Sequence, residues 1–308
     1  MEEMKNKIPK KSECPPNPKV NSIKGWLTRQ FLSFLGLLKM VVYYRRYSFQ
    51  SIKTQALLLF TNSLIFPITR IILGGRRSYS FCYTFFKAYS PTYLTIISLP
   101  PPFKSKIKIN EVDFGHYSEI YFEDVYLQKT LKEGMNIIDI GANVGVYTDL
   151  AAEKVGKNGK VIAVEPEPKN YKRLIENINL NGFKNIIPQN IALTDHEGSE
   201  RLYLSSSSGS HSLSPKEDTI SSIEVSLKTL DNLLEELNLK KIDIIKIDTE
   251  GSEIPILKGA EKTLKTNPNI KIFVASYHYP SETKEVCQFL NKRGFKTRIS
   301  SGSVVITI

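Results

Sequence analysis

The sequence predicts an α/β fold, a mostly parallel sheet alternating with helices over residues 111–308, preceded by a basic, mainly helical region over residues 1–110. Three observations carry this reading. After Glu111, short β-branched runs alternate with charged stretches of helical spacing, the pattern of βαβ units. The composition, 41% apolar and 24% charged over 308 residues, is that of an ordinary globular chain long enough for about two domains. The charge divides sharply: residues 1–110 hold 18 Lys and Arg against 3 Asp and Glu, so the total of +11 leaves −4 for the remainder. This excludes collagen, a wholly disordered chain and a polytopic membrane protein.

Residues 1–22, rich in Lys and Pro, have too few apolar side chains to fold alone and read as a disordered basic arm. No continuous apolar stretch follows the first basic residues before Trp26, so a secretory signal is not expected. From Trp26 to Tyr44 apolar residues recur at helical spacing among Lys24, Arg29 and Lys39, the pattern of an amphipathic basic helix. A second apolar stretch, Ala56 to Leu73, is interrupted by Asn62, Pro67 and Arg70, which suits a helix packed on its neighbour or lying in a headgroup plane better than a span. A concentrated positive field attracts anionic surfaces, so peripheral association with the inner membrane surface is expected of residues 1–110. Cys14, Cys82 and Cys287 lie far apart with no CxxC pair, so neither a disulfide framework nor a thiolate zinc site is read, and a reducing, cytoplasmic location follows.

Within residues 111–308 the strands are expected at Asn136–Ile140, Val161–Val164, Ile186–Ile191, Ile242–Ile247 and Ile270–Ala275. Helices fall between them, near 147–154, 169–181, 227–237, 253–265 and 281–293. FKTRI and SVVITI, joined by Ser300, Ser301 and Gly302, read as a closing hairpin. Five parallel strands closed by an antiparallel hairpin is the layout of class I methyltransferases. The SSSSGSHSLS stretch reads as a polar loop.

The most informative segment is NIIDIGANVGVYT, Asn136 to Thr148, where a buried strand delivers Asp139 and then Gly141 and Gly145 open a helix. Its GANVG spacing lacks the close glycine pair of a dinucleotide loop and places an acid before the first glycine. A carboxylate there would repel a pyrophosphate, whereas it suits the cationic amino group of S-adenosylmethionine. The next strand, KVIAVEP, ends in Glu165, 24 residues beyond Gly141, where an acid can accept both ribose hydroxyls. The bland alternative is a Gly-rich turn with a helix-capping Asp139.

These segments, with NIAL, TLDNLL and IDIIKIDTEGSEIPILKGA, resemble the FkbM-type family of S-adenosylmethionine-dependent methyltransferases over roughly residues 117–295. The resemblance implies a seven-stranded Rossmann-like fold and mostly O-methylation, with sugars, glycolipids and secondary metabolites among the acceptors. It implies Asp139, Gly141, Asn143, Gly145 and Glu165 as the cofactor set, with Asn190 on the adenine side.

Ligands of open α/β sheets lie beyond the carboxyl ends of the strands, which places Asp248, Thr249 and Glu250 at the transferring methyl, with Lys246 on the same strand face as Asp248. Holding the acceptor oxygen in line supplies much of the acceleration, and a base takes the alcohol proton. The candidates for that role are Asp248, Glu250, His278 and His211. Acids such as Glu250 and Glu253 also stabilise a helix start whatever the enzyme does. His278 follows the last parallel strand, where family members carry a Glu and this chain has Ala275, Ser276 and Tyr277 instead. His211 sits in the polar loop, a common place for a substrate cover, whereas His116 and His196 have no such placement. Two carboxylates two residues apart are a weak metal signal, and no metal ligand is assigned. The expected activity is O-methylation of a sugar, glycan or glycolipid. The alternatives are ribose methylation of RNA, which has no signal here, base-amine methylation being opposed by DTEGSE in place of a D/N-PP-Y/F turn, and a noncatalytic module tethered to membranes. A nucleic-acid partner is not expected.

Overall fold

The computed structural model describes residues 95–98, 103–110, 113–121, 124–300 and 304–307. The basic arm and the apolar stretches at 26–44 and 56–73 lie outside them. In chain order the elements are β1 (Thr95–Ser98), β2 (Lys106–Ile109), α1 (Asp113–Tyr121), β3 (Asn136–Ile140), α2 (Val146–Val155), β4 (Lys160–Val164), α3 (Pro168–Asn181), β5 (Ile186–Gln189), β6 (Ala192–Leu193), β7 (Gly198–Ser205) and β8 (Thr219–Lys228). They continue with α4 (Leu230–Glu236), β9 (Ile244–Ile247), α5 (Glu253–Lys258), α6 (Glu261–Thr266), β10 (Lys271–Ala275), α7 (Glu282–Asn291), β11 (Thr297–Ile299) and β12 (Val304–Thr307).

Seven strands form one sheet in the order β11-β12-β10-β9-β3-β4-β5. The five from β10 to β5 run parallel, and β12 lies antiparallel to both β10 and β11. This is the class I methyltransferase layout. Strand alternation divides the core between the two faces. Ile137, Val161, Ile244 and Phe273 pack with α2 and α3, whereas Ile138, Ile162, Ile245 and Val274 pack with α4, α5 and α7. The helix starts follow ordinary capping chemistry: Glu167 accepts from the Asn170 N–H ahead of Pro168, and Thr229 accepts from Asn232 N–H.

Four differences from the sequence reading have local causes. The run Ile186–Ile191 ends early as β5, the sheet edge that tolerates Pro188, and β6 then joins a separate three-stranded sheet, β6-β8-β7. The SSSSGSHSLS stretch is a polar loop as expected, but it is the tip of a hairpin of two strands, β7 and β8, that the sequence reading did not include. The helix expected over 253–265 is divided into α5 and α6, because Gly259 presses on the chain at Thr194, where a Cβ would stand 2.1 Å from the carbonyl oxygen. Packing also starts before residue 111: Asn177 and Asn181 of α3 bond the backbone of Lys108 and Lys106 like a sheet edge, and Ile107 and Ile109 are buried.

Candidate active site

The strand order reverses between β3 and β9, and a cleft of about 950 Å³ including its open mouth lies over the carboxyl ends of β3, β4 and β9. Asn143 and Glu165 line one end, Asp248, Thr249 and Glu250 line the other, and Gly141, beyond β3, lies between them against Asp248.

The loop after β3 is shaped by its own neighbours. Gly141 has φ +77°, and a Cβ there would stand 1.9 Å from the Asp248 carbonyl oxygen, so glycine is required by the tip of β9 rather than by a ligand. Gly145, φ +94°, caps α2 against Leu174 and does not line the cleft. Asp139 does not reach the cleft either. Fully buried, it pairs with Lys246 Nζ at 3.0 Å and accepts from Thr148 Oγ1 at 2.6 Å. The expected contact between Asp139 and a cationic amino group is therefore replaced by an internal one, since the facing strand β9 presents a lysine.

Glu165, by contrast, is at the tip of β4 as expected. Its two oxygens accept the backbone N–H groups of Asn143 and Glu167, both at 2.9 Å, which leaves lone pairs on each. Burial pushes its carboxyl up to about 7. Asn190 is exposed and ties the turn beneath Glu165 by donating to the carbonyls of Glu165 and Pro166, outside the cleft lining. The apolar wall on this side comes instead from Ile191, Ala192, Leu193, Leu202 and Leu213. Asn143 Oδ1 and Ser208 Oγ are buried there without a protein partner. A carboxylate with spare lone pairs, an apolar slot and unpaired polar atoms fit the ribose, the adenine and the polar edges of S-adenosylmethionine.

At the other end, Asp248 Oδ2 accepts from Tyr126 Oη at 2.8 Å, and Glu250 Oε2 pairs with Lys216. His278 Nε2 stands 3.7 Å from both Asp248 Oδ1 and Glu250 Oε1, while Nδ1 faces Glu282 at 3.1 Å and Glu253 at 3.5 Å. Burial opposes charge on His278, but Asp248 and Glu282, with Glu253 and Glu250 behind them, raise its pKa to about 10. Burial likewise works against charge on Asp248, yet His278 and Lys246 hold its carboxyl well below the usual range. These carboxylates favour the protonated ring, which tells against His278 as the group that takes the acceptor's proton.

The β7–β8 tip covers the cleft. Asn170 Nδ2 donates to Ser208 O, Ser212 Oγ donates to Glu250 O, and Gly209 packs against His116 so closely that a Cβ would meet the ring at 2.5 Å. His211 lines the cleft, its Nδ1 accepts from Ser205 N–H, and burial lowers its pKa. His116, Glu119 and Tyr126 also line the cleft, although nothing in their spacing marks them. They arrive from α1 and the segment after it.

Residues 139–297 match the methyltransferase FkbM domain family. The hexuronic acid methyltransferase AglP of Haloferax volcanii is 26% identical over 164 residues, 53% of this chain and 64% of that protein. Methyltransferase 1 of Beauveria bassiana is 25% identical over 171 residues, 49% of this chain and 68% of its own length. The crystal structure of methyltransferase FkbM from Methylobacillus flagellatus aligns with 92% of this chain and 60% of its own, at 16% identity and a TM-score of 0.44. The chain thus spans less than two thirds of the Haloferax protein and of the Methylobacillus structure.

Proposed function

This chain belongs to the FkbM methyltransferase family, and from that premise we propose that it uses S-adenosylmethionine to methylate a hydroxyl oxygen of a sugar, glycan or glycolipid. The observation that carries the reading is a single cleft with Glu165 at one end and the carboxylates of Asp248 and Glu250 at the other. Bound there, S-adenosylmethionine would supply an electrophilic methyl on a sulfonium that departs as a neutral thioether.

The chain's own residues do the rest. Glu165 receives the two ribose hydroxyls, and Asn143 keeps that carboxylate aimed through its N–H. Asp248 and Glu250 accept the hydrogen of the acceptor hydroxyl and so hold its oxygen in line. Tyr126 and Lys216 fix the rotamers of these two acids, and the loop from Ser208 to Ser212 excludes water. The named activity of the Haloferax relative, hexuronic acid methylation, supports a sugar acceptor. The turn after β9 reads DTEGSE and carries no motif of nucleic-acid base methylation, which speaks against a nucleic-acid acceptor.

Incubation of the full chain with methyl-labelled S-adenosylmethionine and separate glycan, lipid and RNA pools tests the reading. Label in a glycan or glycolipid as an alkali-stable ether supports it, and label confined to RNA overturns it. No helix among the described residues is long and apolar enough to cross a membrane. We propose that the +15 of residues 1–110 brings the chain to anionic surfaces, in which case co-sedimentation with anionic vesicles falls as salt rises.

A further inference from the structure

We propose that Asp248, Glu250 and His278 form a binding site for one divalent cation at the acceptor end of the cleft. The ligand atoms are Asp248 Oδ1, Glu250 Oε1 and His278 Nε2, which lie within 4.8 Å of one another. The inference rests on the proposed methyl transfer only for what the ion accomplishes, not for whether it binds.

The first support is the way each residue uses its two polar atoms. Asp248 turns Oδ2 to Tyr126 and Glu250 turns Oε2 to Lys216, so both carboxylates are held by one oxygen and present the other to the same point. His278 does the same: Nδ1 faces Glu282 and Nε2 faces the carboxylates. A histidine whose far nitrogen is held by a carboxylate is the usual arrangement behind a metal-ligating imidazole, since it fixes the ring and its tautomer.

The second support is independent of the acids. The His278 side chain is 3% exposed, and its Nε2 has no hydrogen-bond partner in the structure. A buried polar nitrogen without a partner is costly, and here it points between two oxygens at 3.7 Å, too far for a hydrogen bond to either. Ligands held about 2.1 Å from a small divalent ion stand about 3.0 to 3.6 Å apart for right-angled to trigonal directions. The two Nε2–O distances of 3.7 Å are close to that range, and an ion bound there would take the place of the proton on Nε2.

One imidazole with two carboxylates suits Mn²⁺, Fe²⁺ or Zn²⁺ better than a purely oxygen-seeking ion, and three protein ligands leave positions for an acceptor oxygen. An ion there would orient that oxygen and favour its deprotonated form. The same two carboxylate oxygens would then act through the ion rather than on the hydroxyl directly.

The test uses full-length protein stripped with a chelator, titrated with Mn²⁺ in the absence of S-adenosylmethionine and acceptor, free Mn²⁺ being read by electron paramagnetic resonance. The expected result is one tight equivalent, weakened tenfold or more in His278→Ala and in Glu250→Gln, and weakened to a lesser degree in Glu282→Gln. Paramagnetic broadening of the His278 ring signals in the unaltered protein gives a readout that does not depend on how the variants fold. No uptake at millimolar Mn²⁺, or uptake that leaves the His278 signals sharp, overturns the site. Because no methyl transfer is measured, either result leaves the proposed function standing or falling on its own assay.

Discussion

The two ends of the cleft are built by different means. At the tips of β3 and β4, Glu165 is held by backbone N–H groups from Asn143 and Glu167, close in the chain or one crossover away. At the tip of β9, Asp248 and Glu250 are held by side chains instead: Tyr126, 122 residues before Asp248, Lys216 and, one crossover on, His278. A backbone-built end is insensitive to which side chains surround it, whereas a side-chain-built end depends on each partner. Between them lies the buried Asp139–Lys246 pair, which joins β3 to β9.

That pair gives the largest expected effect. Lys246→Met leaves Asp139 fully buried without its cation, and breaking a buried pair from one side costs about 3–5 kcal/mol. A denaturation midpoint little changed from the parent protein would show that the two ends do not lean on this joint. Gly141→Ala comes next. Its φ of +77° alone strains a non-glycine residue by about 1–3 kcal/mol, and the added Cβ also meets the Asp248 carbonyl. Thermal unfolding should fall sharply, and an unchanged Tm would mean that the loop can move away from β9.

Smaller effects separate the ends by function. Glu165→Gln should leave one backbone N–H of the turn without its acceptor, a modest loss of stability, and weaken S-adenosylmethionine binding by tens of fold, since a charge-assisted hydrogen-bond pair is worth on the order of 2–3 kcal/mol. Its pH dependence has a definite sign. The folded pKa, about 7, lies above the ordinary 4.5, so the protonated form favours the fold, and this contribution is complete below pH 4.5 and lost as pH rises through 7. Cofactor binding runs the other way, because ribose hydroxyls donate to the ionised form. Affinity measured by calorimetry should drop below pH 7, by up to about tenfold per pH unit, and Glu165→Gln should flatten that profile. The smallest effect is that of Asn190→Ala, which removes two donors to the turn beneath Glu165 and should cost about 1 kcal/mol of stability with only a few-fold change in affinity.

The contrast also explains what could be read from the chain. Asn136–Ile140 was legible to the residue because a parallel strand buried on both faces is a continuous apolar run with sharp ends. Glu165 was legible because its place follows from counting along one βαβ unit. Asp139 was legible as important but not in its role, since the strand that faces it, β9, is about a hundred residues away and brings Lys246. Tyr126 and His116 were not legible at all: an aromatic or a histidine on an amphipathic segment looks the same whether it covers a core or a cleft. The β7–β8 hairpin escaped although Ile223, Val225 and Leu227 alternate with Glu224, Ser226 and Lys228, because its strands are interrupted by Ser221, Ser222 and a long polar tip.

The central claim is that one end of the cleft binds the cofactor and the other the acceptor. Its most direct test is titration of S-adenosylmethionine by calorimetry into the parent protein, Glu165→Gln and Glu250→Gln. The account predicts tens-fold weakening in Glu165→Gln and an affinity within a few-fold of the parent in Glu250→Gln. Full affinity in Glu165→Gln with loss in Glu250→Gln would contradict it, and would place the cofactor at the tips of β9 and β10 instead.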